Sequence, residues 1–200
     1  MDVLIIVLVI VIVLAAAAGG FIMWRRQRSG RLQEQFGPEY DRTVEQSGGT
    51  GSAEKKLAER EKRRSRFDVV PLSAESAAAY GQEWDQVQMR FVDQPASAVE
   101  EADALVVRVM RERGYPVDDF DQRADDLSVD HPHVVQHYRT AHTVAVAQSR
   151  GEADTEQLRQ AVTSYRALVD ALLDDADHPG QSGQPDQARS RDQQHLQEER

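Results

Sequence analysis

His133 and His137 stand four residues apart, the spacing at which two imidazoles share one face of a helix and can meet one metal ion. Zinc would take a third ligand from Asp130 or from Asp126, and His131 and His142 lie close by in sequence. The zinc-protease pattern requires a Glu directly after the first His, and here Val134 follows His133. The chain has no cysteine, which removes thiolate ligands, thiol nucleophiles, disulfides and a lipid-modified Cys together. Asp130, His133 and His137 are therefore metal candidates weighed against a plainer reading, exposed or capping histidines on a solvated face, and no cofactor is expected.

Asp118, Asp119, Asp121, Asp125, Asp126 and Asp130 form a dense acidic stretch. Calcium loops need acidic ligands in a fixed order, with a Gly and a closing Glu, and that order is absent. The stretch fits helix caps and an acidic docking surface for a basic partner better. Tyr80, Trp84 and Phe91 could line a ligand, yet their i, i+4, i+11 spacing is what a buried helix stripe requires. Ser, His and Asp are present without a Gly-x-Ser-x-Gly elbow, and no phosphate-cradling glycine loop occurs, so an enzyme is not the expectation.

The elements that would position these residues are helices. Ser73 after Pro71 predicts a helix from near Ala74 to Phe91, with Ala77, Tyr80, Trp84, Val87 and Phe91 on one side. A second begins with the capping box Ser97 to Glu100, carries Val99, Ala102, Leu105, Val106, Val109 and Met110, and stops at Gly114 before Pro116. A third, short one starts at Asp118 and uses Phe120, Ala124 and Leu127. Asp130 caps a fourth that tolerates Pro132 in its first turn and lines up Val134, Tyr138, Ala141 and Ala145 until Gly151. The fifth starts at Asp154 or Thr155 and presents Leu158, Ala161, Val162, Tyr165, Leu168, Val169 and Leu172. Each stripe is too short to be stable alone, so the five should pack into one compact bundle. Phe67 to Val70 is the only short strand candidate.

Val3 to Trp24 contains no charged residue, and at about 1.5 Å per residue it spans roughly 33 Å, enough to cross a bilayer once. Trp24 sits where an interfacial aromatic is favoured, and Arg25, Arg26, Arg28 and Arg31 follow at once, which predicts a cytoplasmic C-terminal side and an outside N-terminus. A cleaved signal peptide is the rival, since Ala15 to Ala18 offer small residues; Asp2 in place of a basic start argues against it.

The net charge of -10 is unevenly spread. Residues 25–66 carry 12 Lys+Arg against 7 Asp+Glu, whereas residues 67–177 carry 9 against 22. The acidic part should be repelled by nucleic acid and by anionic lipid. In the basic part, Ser47-Gly48-Gly49-Thr50-Gly51-Ser52 reads as a flexible linker, and Ala53 to Arg66 as a short solvated helix. Its cluster Arg60, Lys62, Arg63, Arg64 and Arg66 could lie on anionic lipid. Residues 178–200 have almost nothing apolar and read as a disordered tail.

The expected organisation is all-α: a transmembrane anchor at 1–24, a flexible basic juxtamembrane linker at 25–66, an acidic bundle of about five helices at 67–177, and the tail. The phrases Phe36-Gly-Pro-Glu-Tyr-Asp-Arg-Thr-Val44, Arg63-Arg-Ser-Arg-Phe-Asp-Val-Val-Pro71, Arg90-Phe-Val-Asp93, Arg113-Gly-Tyr-Pro-Val117 and Leu127-Ser-Val-Asp-His-Pro132 resemble an uncharacterised bacterial, actinobacterial-type family of single-pass membrane proteins often labelled as secreted. The resemblance spans roughly Phe36 to Leu173 and implies no activity. The functional expectation is a membrane-tethered, non-enzymatic scaffold or protein-interaction module that contacts the bilayer through residues 3–24. Its alternatives are a small-ligand or metal-dependent sensor or enzyme with a site between bundle helices, and an extracytoplasmic protein.

Overall fold

The computed structural model describes residues 19, 20, 23 and 26–174, and all regular structure among them is helical. Helical backbone runs over 26–36 (α1), where Leu32 and Phe36, four apart, turn to one side and are fully buried. Gly37 ends this run in the left-handed region, φ 46, and Pro38 opens α2 (Pro38–Ser47) from the first helical position, where its missing N–H is harmless. A left-handed Gly48 closes α2, and α3 (Thr50–Arg64) packs back along it. Leu32, Phe36, Tyr40 and Leu57 then enclose a small apolar core, with Val44 and Val129 packed against it.

This region departs from the expected flexible linker. Gly48 supplies the left-handed C-cap of α2, and Thr50, Gly51 and Ser52 are the first residues of α3 rather than slack chain. Composition misleads here because the ordering force is remote from the glycines: it comes from Tyr40 and Leu57 meeting across the turn.

Residues 68–73 run without regular structure, and the strand considered at Phe67–Val70 does not form. Instead the Val70 N–H bonds the Arg113 carbonyl at 2.9 Å, while Phe67, Val69 and Leu72 join a second, larger core. Five helices build that core: α4 (Ala74–Asp93), α5 (Pro95–Glu112), α6 (Phe120–Asp130), α7 (Val135–Ser149) and α8 (Thr155–Asp174). α5 packs on α4, α7 and α8, α7 packs on α8, and α6 bridges α3 and α7. Val99, Ala102, Leu105, Val106, Val109 and Met110 of α5 are all fully buried, which makes that helix the centre of the bundle. At about 1.5–3 kcal/mol for each large apolar side chain, such burial is the main driving force.

Side-chain caps explain three helix starts, those of α4, α6 and α8. Ser73 Oγ accepts from the Ser76 N–H at 3.0 Å, and Asp119 Oδ1 from the Gln122 N–H at 2.8 Å. Asp154 and Gln157 form a reciprocal pair, each side chain bonded to the other's N–H at 2.8 Å. Two expected caps are not used. α5 begins at Pro95, whose fixed φ suits the first turn, so Ser97 lies inside the helix and caps nothing. α7 begins at Val135 with Val134 at its cap position and no side-chain cap, while Asp130 is the last residue of α6 and its carboxylate bonds Arg64 and Tyr115.

The expected span Val3–Trp24 lies outside the described residues apart from Gly19, Gly20 and Met23, and the tail at 178–200 lies wholly outside them. Among the described residues no helix is long and apolar enough to cross a membrane.

Candidate functional site

Six of the charged residues singled out in the sequence, Arg60, Arg63, Arg64, Asp125, Asp126 and Asp130, converge on one place, the joint between α1–α3 and the bundle. On α3, Arg60 and Arg64 fall on the same stripe as Ala53 and Leu57, and Arg63 borders it. On α6, Asp125, Asp126 and Asp130 project toward them. Arg60 Nη2 meets Asp125 Oδ1 at 2.7 Å, Arg63 Nε meets Asp126 Oδ1 at 2.7 Å, and Arg64 Nε meets Asp130 Oδ2 at 2.5 Å. Three of the six aspartates of the acidic stretch thus pair with arginines of the same chain.

Glu39, in the first turn of α2, is the centre of this joint and only 2% exposed. Its carboxylate accepts from Arg60 Nη1 at 2.8 Å and from Arg139 Nη1 and Nη2 at 2.7 and 2.9 Å, the last two as a fork from α7. Burial pushes the Glu39 carboxyl up, but the hydrogen bonds and charges of Arg139 and Arg60 together outweigh it and hold it below the usual glutamate value. Asp126 shows the opposite balance. Burial raises its carboxyl, the bond and charge of Arg63 offset this only in part, and the neighbouring Asp125 adds to the rise. Asp130 also accepts from Tyr115 Oη at 2.6 Å, and Arg64 lies over the Phe67 and Tyr115 rings at 5.3 and 5.8 Å. Burial, with the adjacent Asp130 charge and hydrogen bond, drives the Tyr115 hydroxyl far above its ordinary value, so it stays a donor.

Asp130, with both Arg64 and Tyr115 on its carboxylate, is part of this joint rather than of a histidine site. His133 and His137 are exposed, and the His133 ring lies against Gly37, its Cε1 3.1 Å from where a Cβ would stand. Among the described residues no group of three His, Asp or Glu side chains could hold a metal ion. His142 is stacked on Phe120 at 3.6 Å, with Nδ1 3.4 Å from an Asp103 carboxylate that also accepts from Tyr165 Oη at 2.7 Å. Of the aromatic stripe, Trp84 is buried, while Tyr80 and Phe91 are half-buried and pack on the larger core.

Of the residues expected to flank a membrane span, Trp24 and Arg25 lie outside the described residues, Arg26 is exposed, Arg28 is half-buried, and Arg31 pairs with Glu61 at 3.0 Å. Of the cluster considered for lipid, Arg60, Arg63 and Arg64 serve the joint, and Lys62 and Arg66 are exposed. Sequence reasoning missed Glu39, Arg139 and Tyr115. One signal was available: arginines on the Ala53-Leu57 stripe of a helix announce buried partners.

A cavity of about 420 Å³ lies beside the joint, lined among others by Glu39, Arg42, Gln46, His133 and Gln136. No family model, no curated protein and no solved structure matches this chain. What fold and site define is an all-helical protein in which a basic three-helix unit is joined to an acidic five-helix bundle by partly buried ion pairs.

Proposed function

We propose that the chain is a membrane-tethered, non-enzymatic scaffold, anchored through residues 3–24, with its helical domain on the cytoplasmic side where it binds a protein partner. The support is the joint itself. Helical backbone carries the chain through Arg26, Arg28 and Arg31 to Phe36, and α3, packed against α1 and α2, is bonded to α6, so residues 26–66 are an ordered connection to the bundle rather than slack chain. A domain mounted this way is displayed at fixed height and orientation, which suits presentation of a surface. It replaces the flexible reach expected from the sequence.

Alkaline carbonate extraction and a C-terminal reporter active only outside the cytoplasm test anchoring and sidedness; reporter activity would instead favour the extracytoplasmic reading. Affinity capture of the detergent-solubilised chain, compared with a chain ending at residue 66, tests the scaffold role, with loss of specific companions expected from the shortened form. The second reading, a small-ligand sensor or enzyme, draws on the cavity between α2 and α7 that contains His133. Arg42→Ala with His133→Ala would abolish such a site and leave a scaffold's partner binding intact.

A further inference from the structure

We infer that the outer face of α3 is a docking surface for anionic lipid headgroups, which holds the domain flat against the membrane with its acidic bundle pointing away; this rests on the anchored reading above. Lys55 and Lys62 stand at i and i+7 on the side of α3 opposite the buried Ala53, Leu57 and Arg60, with Lys56 at the edge of that side and Arg66 in the turn just after the helix. All four are exposed, and Glu59, 66% exposed, is the one acidic side chain on that stripe, leaving a net of about three positive charges. The inward arginines are already matched by Glu39 and the α6 aspartates, so these outer cations are additional to what the fold uses.

Position makes the partner a membrane rather than another acidic polymer. Ser29 Oγ is 3.1 Å from Tyr40 Oη, which donates to Glu54 Oε1 at 3.3 Å, and Arg31 pairs with Glu61. These bonds tie Glu54 and Glu61, seven residues apart on α3, to Ser29 and Arg31 of α1, the first of them through Tyr40 of α2. Ser29 follows Trp24 by five residues, a stretch that cannot exceed about 18 Å. Lys55 and Lys56 directly follow Glu54, so the basic face of α3 begins close to the end of the span. The acidic bundle lies on the inner side of α3, through α6, and the same anionic surface repels it. Attraction and repulsion act on opposite sides of one helix and set a single orientation. At about 1 kcal/mol per basic residue, a net of three favours the docked orientation roughly a hundredfold.

The absence of cysteine allows one dye to be placed at will. The full chain in lipid nanodiscs would carry it at Ser52→Cys, exposed at the start of the outer face, or at the control Ser149→Cys, exposed at the end of α7. With a quencher on the headgroups, phosphatidylglycerol-rich discs should quench the Ser52 dye several-fold more than phosphatidylcholine discs. That difference should vanish at about 0.5 M salt, where screening is short-ranged, and in K55E/K56E/K62E/R66E, with the Ser149 dye alike in both lipids. Equal quenching of the Ser52 dye in both lipids at low salt overturns the inference, and the salt arm decides it even if the substituted chain fails to fold. If alkaline carbonate strips the chain from membranes, the anchor reading fails separately. Cosedimentation with phosphatidylglycerol vesicles then decides the surface alone: binding lost in the quadruple variant supports it, and no binding overturns it.

Discussion

Replacing Glu39 by Ala should unlock the joint before it unfolds the bundle. The Glu39 carboxylate accepts three N–H bonds from Arg60 and Arg139, whose side chains are only 11% and 12% exposed. Without it, the two guanidinium groups keep the Asp125 carboxylate, 2.7 Å from Arg60 but 3.5 Å from Arg139 and itself 32% exposed, and Arg60 keeps the neutral Ser128 Oγ at 3.3 Å. Removing one partner of a buried ion pair costs about 3–5 kcal/mol, and the remaining Asp125 places this case near about 3. For a chain of this length that is a fall of roughly 6–12 °C in Tm. Glu39→Gln keeps an acceptor and should cost less, since a bond to a charged group is worth about 1.5–3 kcal/mol against about 1 for a neutral one. Melting of the detergent-solubilised full chain measures the loss, and hydrogen exchange locates it, with amides of α1–α3 released while α5 stays protected. A cost below about 1 kcal/mol, or uniform release of α5 together with α3, would show that the ion pairs do not hold the two units together.

Gly114→Ala should cost at least about 2 kcal/mol, because φ is 91 and a Cβ there would lie 2.4 Å from the Asp68 carbonyl oxygen; a melting curve like the wild type's would contradict the observed approach. The joint should respond to acid in two opposite ways. Asp126 has a raised carboxyl, so the folded state takes up its proton first and its contribution to stability grows as pH falls from neutral toward its ordinary value of 3.8. Glu39 is lowered, so its contribution is full above 4.5 and is lost as pH falls through its folded value. Urea titrations of Asp126→Asn against the wild type should therefore show the difference moving in the wild type's favour as pH drops from 7 toward the carboxylate range, and the reverse drift for Glu39→Gln. Asp154→Ala removes the reciprocal cap of α8 and should cost about 1 kcal/mol in the same assay. Zinc should leave Tm unchanged, in the wild type and in His133→Ala with His137→Ala alike.

Most of the bundle was legible because its signals are local. Ser73, Asp154 and the stripes of α5 and α8 act within one or two turns, so periodicity and caps locate them. Capping signals failed where a stronger rule competed. Pro95 preferred the first helical turn and moved the start of α5 ahead of Ser97, and Asp130 is the last residue of α6, its carboxylate bonded to Arg64 and Tyr115. The order of residues 26–66 was the larger miss. Its small core joins Leu32, Phe36, Tyr40 and Leu57 with Val129, a residue 72 positions beyond Leu57, and no window of sequence contains that contact.

The same remoteness explains why net charge by segment misjudged the joint. An excess of acid in one segment and of base in another can mean that each seeks an outside partner, or that each is the other's partner. Position on a helix separates the two meanings. Arg60 and Arg64 share the stripe of Ala53 and Leu57, where an unpaired charge would be costly to bury, and they meet Glu39, Asp125 and Asp130. Lys55 and Lys62 occupy the opposite stripe, with Arg66 in the turn just beyond it, where water solvates them at no such cost. Charge on the buried stripe therefore reports assembly within the chain, and charge on the outer stripe is what remains for a surface the chain meets.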